Sequence, residues 1–264
     1  MIPVRVMPCL LLQDGGLVKT QRFGGPVYLG DPINTLKLYN DMEVDEIILL
    51  DITASRQQRQ PDWELLEQAA SECFMPLCYG GGVNSEETAA RLFSLGIEKV
   101  ALNHAALEMP GLLGTLAARF GSQSVIAALD VKKNWMGRKQ VWNHVEGKST
   151  GQDPLTLARQ YVEAGAGELL VNSVDRDGQM RGYDVELMAA IAAAVPVPVI
   201  ACGGAGNLEH MRQLALLSEV RAMAAGSMFV FQGPHRAVLI QYPRQSELKS
   251  AFAALAGHEK GDAR

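Results

Sequence analysis

Asp130 stands at the end of the apolar run Ala127-Ala128-Leu129. A buried strand would deliver its carboxylate to an open edge of the protein, where it can take up and return a proton. Two glycine-rich turns offer a second kind of chemistry. Gly80-Gly81-Gly82-Val83 and Gly203-Gly204-Ala205-Gly206 each close an apolar run, and glycine there lets backbone amides come close to an anion. Each turn has a companion further along, Asn103-His104-Ala105 for the first and Gly226-Ser227 for the second. The doubled arrangement suits a small molecule with a phosphate at each end, held by Gly81, Gly82 and Asn103 on one side and by Gly203, Gly204, Gly226 and Ser227 on the other. A tight turn uses glycine without any ligand, so it is the recurrence that points to phosphate. A third group, Arg5, Glu46, Lys99 and Glu168, lies at the opposite ends of apolar runs. Charges so placed can satisfy one another as buried ion pairs.

Residues so spaced need a scaffold that repeats. Glu46-Ile47-Ile48-Leu49-Leu50 has a counterpart in Glu168-Leu169-Leu170-Val171-Asn172, 122 residues on, and Lys99 pairs with Arg221 at the same shift. The glycine turns are 123 residues apart, and Leu11 lies opposite Asp130 at a shift of 119. A period that long is a duplicated half-domain and not a solenoid. Apolar runs near residues 4–12, 46–51, 75–79, 99–103, 124–130, 168–173, 197–202 and 221–225 alternate with amphipathic stretches, the pattern of parallel strands each followed by a returning helix. Asp31-Pro32 and Asn84-Ser85-Glu86-Glu87 read as helix starts, Gly96 and Gly165 as helix ends. Eight such units in two fourfold halves, residues 1–122 and 123–256, predict an α/β fold. It is a (β/α)8 TIM barrel occupying residues 1–264 as one domain, with a polar, fraying tail at 257–264. An open doubly wound sheet is the competing arrangement. In a barrel the strands' C-terminal ends carry the chemistry, which places Asp130 and both glycine turns at one mouth and the four charges at the other rim. Arg221, opening the eighth run, is a further candidate for that ring.

Composition narrows the partners. Of 264 residues, 48% are apolar and 20% charged, with a formal net charge of −5, which excludes a general nucleic-acid surface and favours small molecules or proteins. The four cysteines, Cys9, Cys73, Cys78 and Cys202, lack metal-ligand spacing, so no metal and no cofactor is expected and reduced core thiols are. The start Met1-Ile2-Pro3-Val4-Arg5 lacks a secretion signal, and the apolar stretch at 188–202 is cut by Pro196 and Pro198. The expectation is a cytoplasmic protein that does not enter membranes.

The stretches Asp14-Gly15 with Lys19, Asp51-Ile52-Thr53-Ala54-Ser55, Gly80-Gly81-Gly82, Phe120-Gly121-Ser122-Gln123, Asp175-Arg176-Asp177-Gly178, Gly182-Tyr183-Asp184 and Gly203-Gly204-Ala205-Gly206 cover nearly the whole chain. Together they resemble the cyclase subunit of imidazole glycerol phosphate synthase, from histidine biosynthesis. The resemblance implies that ammonia made by a separate glutaminase subunit, docked at the N-terminal face, travels through the barrel to a bisphosphorylated, nucleotide-derived substrate. It implies phosphate contacts that include Gly178, and an ammonia gate made of Arg5, Glu46, Lys99 and Glu168. It also implies two catalytic aspartates, one ending the first strand and one ending the fifth. Asp130 matches the second; Leu11 stands where the first belongs. Leucine transfers no proton, so the cyclase-lyase reaction should lose a factor of about 10² to 10⁴. Asp14 matches a separate family position and His104 replaces a smaller hydroxyl residue in the first cradle.

Pro8-Cys9-Leu10-Leu11-Leu12 and Gly16-Leu17-Val18-Lys19-Thr20 resemble a divergent branch associated with surface-polysaccharide synthesis. In that branch, ammonia serves the conversion of a sugar acetamido group to an acetamidino group with the help of a sugar amidotransferase. The leading expectation is therefore an ammonia-channel subunit serving sugar amidination; the alternatives are an authentic cyclase of histidine biosynthesis and a non-enzymatic phosphate-binding scaffold.

Overall fold

The computed structural model describes residues 4–253 and 255; the predicted polar tail at 257–264 lies outside them. Eight parallel strands form the centre: β1 (Arg5–Gln13), β2 (Ile47–Asp51), β3 (Leu77–Gly80), β4 (Lys99–Leu102), β5 (Val125–Lys133), β6 (Glu168–Ser173), β7 (Val199–Cys202) and β8 (Ala222–Ala225). Their hydrogen-bonded order is β6-β7-β8-β1-β2-β3-β4-β5, and β5 also pairs with β6. The sheet thus closes on itself, which excludes the open doubly wound arrangement and makes the fold a (β/α)8 barrel. Around it lie α1 (Pro32–Asp41), α2 (Trp63–Glu72), α3 (Glu86–Ser94), α4 (Gly111–Phe120), α5 (Pro154–Glu163), α6 (Val185–Ala194), α7 (Leu208–Leu217) and α8 (Gln245–Phe252).

Helix starts follow from side chains that can accept a hydrogen bond from the first free amides. Asp31 and Asp153, Asp62 and Asp184, and Ser85 and Asn207 cap α1 and α5, α2 and α6, and α3 and α7. The members of each pair are 122 residues apart, so the sequence period is carried into matching helix starts. Gly96 and Gly165, at φ +97° and +114°, end the helices before them as expected.

Strand ends differ from expectation for physical reasons. The third and seventh strands begin after Pro76 and Pro198 and not at Met75 and Val197, because proline has no amide to donate. The carbonyls of Pro76 and Pro198 still accept from Ile47 (2.9 Å) and Leu169 (3.0 Å). Strand β5 runs past Asp130 to Lys133 because strand Lys139–Asn143 folds back on it, antiparallel, with Val131 opposite Val141 and Lys133 opposite Lys139. A second antiparallel excursion, Gly16–Gln21 with Gly24–Gly30, follows β1. Neither excursion was anticipated from apolar periodicity, since both are short and partly exposed.

Two cores result. The larger lies between strands and helices and includes Leu36, Tyr39, Leu66, Leu113 and Ile191. The smaller fills the barrel and includes Met7, Ile48, Ile126, Leu170 and Ile200, with Cys9, Cys78, Cys202 and several alanines. Alternation along each strand sends one set outward and the other inward. No described helix is long and apolar enough to cross a membrane.

Candidate functional site

The mouth at the C-terminal strand ends holds a cavity of about 310 Å³. Every sequence-selected residue of the two cradles, Gly81, Gly82, Asn103, Gly178, Gly203, Gly204, Gly226 and Ser227, lines it, as do Asp130, His104 and Leu11. Two glycines are demanded by their surroundings. Gly81 has φ +117°, and a side chain there would meet the Asp51 carbonyl at 2.5 Å; Gly204 has φ +109° and would drive one into the Gly182 carbonyl. The close backbone approach explains glycine at these two positions without a ligand.

The evidence for a polar ligand lies elsewhere in the wall. Ser227 Oγ, His104 Nδ1 and Asn172 Oδ1 are buried without a hydrogen-bond partner among the described residues, and all three residues line the cavity. A buried polar atom left unpaired costs about 1–3 kcal/mol. Three such atoms around one cavity fit a ligand that completes their bonding.

Asp130 is not isolated. Its Oδ2 accepts from Asn103 Nδ2 at 3.0 Å and lies 3.4 Å from His144 Nδ1, while His144 Nδ1 also lies 3.1 Å from Asn103 Oδ1. Lys19, on the first excursion, is buried and donates from Nζ to Asp177 Oδ1 (2.7 Å) and to the Thr20 carbonyl (3.1 Å); Thr20 Oγ1 donates to Asp177 Oδ2 at 3.1 Å. Asp51, in the motif Asp51-Ile52-Thr53-Ala54, shapes its loop. Its Oδ1 accepts from the amides of Thr53 (3.0 Å) and Ala54 (2.9 Å), and its Oδ2 from Arg59 at 2.6 Å. Leu11 faces inward, packed with Leu50 and Ala128 against the inner core. Asp14, the aspartate nearest to Leu11 along the chain, sits exposed in the turn before Gly16 and does not line the cavity, so it does not replace a carboxylate at position 11.

At the other rim the four charges meet. Arg5 donates from Nη1 to Glu46 Oε2 at 2.9 Å and from Nη2 to Glu168 Oε1. Lys99 Nζ donates to Glu46 Oε2 (3.1 Å) and Glu168 Oε2 (2.8 Å), and lies 3.0 Å from Glu46 Oε1, off the line of a hydrogen bond. Burial pulls both cations down, yet the facing carboxylates outweigh it and hold Arg5 and Lys99 above their ordinary values. Lys99 and Glu168 open β4 and β6, and Glu46 directly precedes β2, so alternate strands supply them. The expected fifth member is absent from the ring. Arg221 turns its guanidinium to the carbonyls of Ala215, Ser218 and Val220 at 2.8–3.1 Å, because carbonyls in the last turn of α7 and just beyond it have no intrahelical donor.

The cysteines are free. Burial holds the Cys78 thiol well above its ordinary value, and for Cys202 a hydrogen bond with Cys9, then burial, does the same. The residue that sequence reasoning missed is His144. It lies in the turn after Lys139–Asn143, outside every apolar run, and only the expectation that loops after barrel strands carry chemistry could have drawn attention to it.

Known proteins give the arrangement a family. The family model described as "Histidine biosynthesis protein" matches residues 5–235. A Pseudomonas aeruginosa protein provisionally assigned as imidazole glycerol phosphate synthase subunit hisF2 is 50% identical over 248 residues, covering 94% of this chain and 99% of its own. A Vibrio vulnificus protein with the same provisional assignment, subunit hisF3, is 45% identical over 253 residues, 96% and 97% of the two chains. A Leptospira borgpetersenii protein provisionally assigned as subunit HisF is 43% identical over 253 residues, 96% of this chain and all of its own. With half or nearly half of its positions shared along almost the full length, the chain belongs to the histidine biosynthesis protein family and, within it, to the HisF-like subunits of the imidazole glycerol phosphate synthase type.

Proposed function

We propose that this chain is the ammonia-accepting subunit of a two-part synthase. A glutaminase docks on the N-terminal rim, ammonia passes the ring of Arg5, Glu46, Lys99 and Glu168, and it reacts at the C-terminal mouth with a phosphorylated ligand. The observation that carries this reading is the placing of the ring. It caps the apolar interior of the barrel, whose other end is the cavity with three unpaired polar atoms. An apolar bore admits neutral ammonia and resists ammonium, because an unpaired charge is costly to strip of water. At the mouth, Gly81, Gly82, Asn103, Gly178, Gly203, Gly204, Gly226 and Ser227 hold phosphate groups, and Asp130 supplies the carboxylate of the acid/base machinery.

The names of the relatives support ring closure in histidine biosynthesis as the reaction served. One observation favours a second reading. Leu11 puts a hydrocarbon side chain where the cyclase needs a carboxylate, so ammonia would pass to another acceptor, the acetamido group of a surface-polysaccharide sugar, through a sugar amidotransferase. The purified protein given the histidine-pathway bisphosphate and an ammonium salt separates them. Turnover without a partner supports the cyclase; no turnover together with stimulation of an added glutaminase supports the sugar reading. Loss of both leaves only a phosphate-binding scaffold. In the second case Leu11→Asp asks how far the site has diverged, since recovery of turnover would confine the change to one residue.

A further inference from the structure

We propose that His144 is a catalytic acid/base of this site and works from Nε2 in place of the carboxylate missing at Leu11. The inference rests on the cyclase reading of the proposed function and deepens it. Three hydrogen bonds determine the state of the ring. Asn103 Nδ2 faces two acceptors, Asp130 Oδ2 (3.0 Å) and the Ala128 carbonyl (3.2 Å), which settles the orientation of the amide and turns its Oδ1 to His144. His144 Nδ1 then meets only oxygens, Asn103 Oδ1 at 3.1 Å and Asp130 Oδ2 at 3.4 Å, so Nδ1 carries the proton. Nε2 is left with its lone pair and with no partner among the described residues, on a side chain that lines the cavity.

The ring is also held in place. Strand Lys139–Asn143 runs antiparallel to the end of β5, so the chain returns toward the level of Asp130 as it reaches residue 144. Buried Asn143 pins the turn, its Oδ1 accepting from the amides of Val145 (3.0 Å) and Glu146 (3.2 Å). Arg56, from the loop after β2, donates to the His144 carbonyl at 2.7 Å. A histidine merely filling space would not need its loop tied from both sides. An acid/base group does, because its reach to the reacting atom must be held within a fraction of an ångström.

The proton balance is simple. Ammonia adding to an electrophilic carbon sheds one proton from nitrogen to Nε2, while Nδ1–H stays on Asn103 and Asp130, which stabilise the imidazolium. Nε2 then returns that proton to the group that leaves, and the ring is neutral again. Asp130 and Asn103 thus hold the base, an arrangement of orienting carboxylate and imidazole that needs no second aspartate.

Three measurements test it on the intact chain. First, His144→Gln and His144→Ala should lower ammonia-dependent turnover of the histidine-pathway bisphosphate by about 10²- to 10⁴-fold with KM little changed. Second, imidazole added to His144→Ala should restore part of that rate, which a side chain that only lines the wall would not show. A loss under about threefold, or a large loss that imidazole does not relieve, overturns the proposal. Third, nitrogen-15 spectra of histidine-labelled protein, with His144→Gln for assignment, should show His144 with its neutral-ring proton on Nδ1; a proton on Nε2 overturns the proposal whether or not the enzyme turns over. Failure of the wild-type protein to use the bisphosphate sinks the cyclase reading, and with it the catalytic part of this inference, while the spectra still decide the state of the ring.

Discussion

Replacing Lys99 by methionine keeps the stem and removes the ammonium from a ring of two cations and two carboxylates. Lys99 Nζ sits 2.8 Å from Glu168 Oε2 and 3.0–3.1 Å from the oxygens of Glu46, and both glutamates are buried. Removing one partner of a buried pair costs about 3–5 kcal/mol. Here Arg5 still touches both carboxylates, and the Lys99 side chain is 17% exposed, so water can enter the gap. The loss should fall to about 2–3 kcal/mol, at or just below the lower end of that range. With a urea m-value of about 3 kcal/mol per molar for a chain of this size, the midpoint should drop by roughly 0.7–1 M. Glu168→Gln alone should cost a similar amount, since it strands a cation. The two together restore a neutral ring, and the double variant should lose only about 1–2 kcal/mol, a coupling of about 3 kcal/mol between the sites. The sign with pH is also determined. Lys99 is held above its ordinary 10.5, so its contribution is fully present below that value and fades only as pH rises through the higher folded value. Measurements at pH 7 therefore see all of it. If the single variants lie within about 0.5 kcal/mol of the parent, or if their losses simply add, the ring is a solvated surface feature and no longer supports a guarded opening.

The remaining expectations concern the mouth and the surface. Ser227→Ala removes a buried hydroxyl with no partner, so the free protein should gain slightly in stability while its affinity for inorganic phosphate, followed by calorimetry, falls by about 5- to 10-fold, a change of about 1–1.4 kcal/mol. Gly204→Ala, at φ +109° against the Gly182 carbonyl, should cost more than about 2 kcal/mol in chemical denaturation, and a cost below 1 would mean the two loops separate freely. Cys73, whose thiol burial pushes up to about 11, should react with a disulfide reagent at pH 8 about tenfold more slowly than a free cysteine; the smaller thiolate fraction is partly offset by its greater nucleophilicity.

What was legible in the chain follows from where it obeys a period. The eight strands are continuous apolar runs because both faces of a barrel strand are buried, and the repeat of 122 residues reappears in helix caps such as Asp31 and Asp153. Cradle residues could be placed at one mouth because glycine turns follow strands in a fixed order. The excursions were not legible. Gly24–Gly30 is largely exposed, so no apolar stripe announces it, and the return of Lys139–Asn143 depends on pairing with residues of β5 that lie beyond the apolar run. His144 was hidden for the same reason. Its importance comes from contact with Asn103 and Asp130, 41 and 14 positions away, and no local pattern encodes that. Arg221 failed in the opposite direction: its period matched Lys99, but its guanidinium is taken up by carbonyls at and just beyond the end of α7.

The substitution at position 11 gains a physical meaning from its neighbours. Leu11 lies opposite Leu50 in the register of β1 and β2 and joins it and Ala128 at the top of the inner core. The apolar lining therefore continues from the barrel interior up to the floor of the mouth, where a carboxylate at position 11 would have brought water. Polar groups stand around that floor, Asp130, Asn103 and His144 on one side and Lys19, Thr20 and Asp51 on the side of β1 and β2. Under the proposed function, an amine emerging over the hydrocarbon of Leu11 keeps its neutral, nucleophilic form until it reaches these groups, so proton transfer falls to the walls of the mouth and not to its floor.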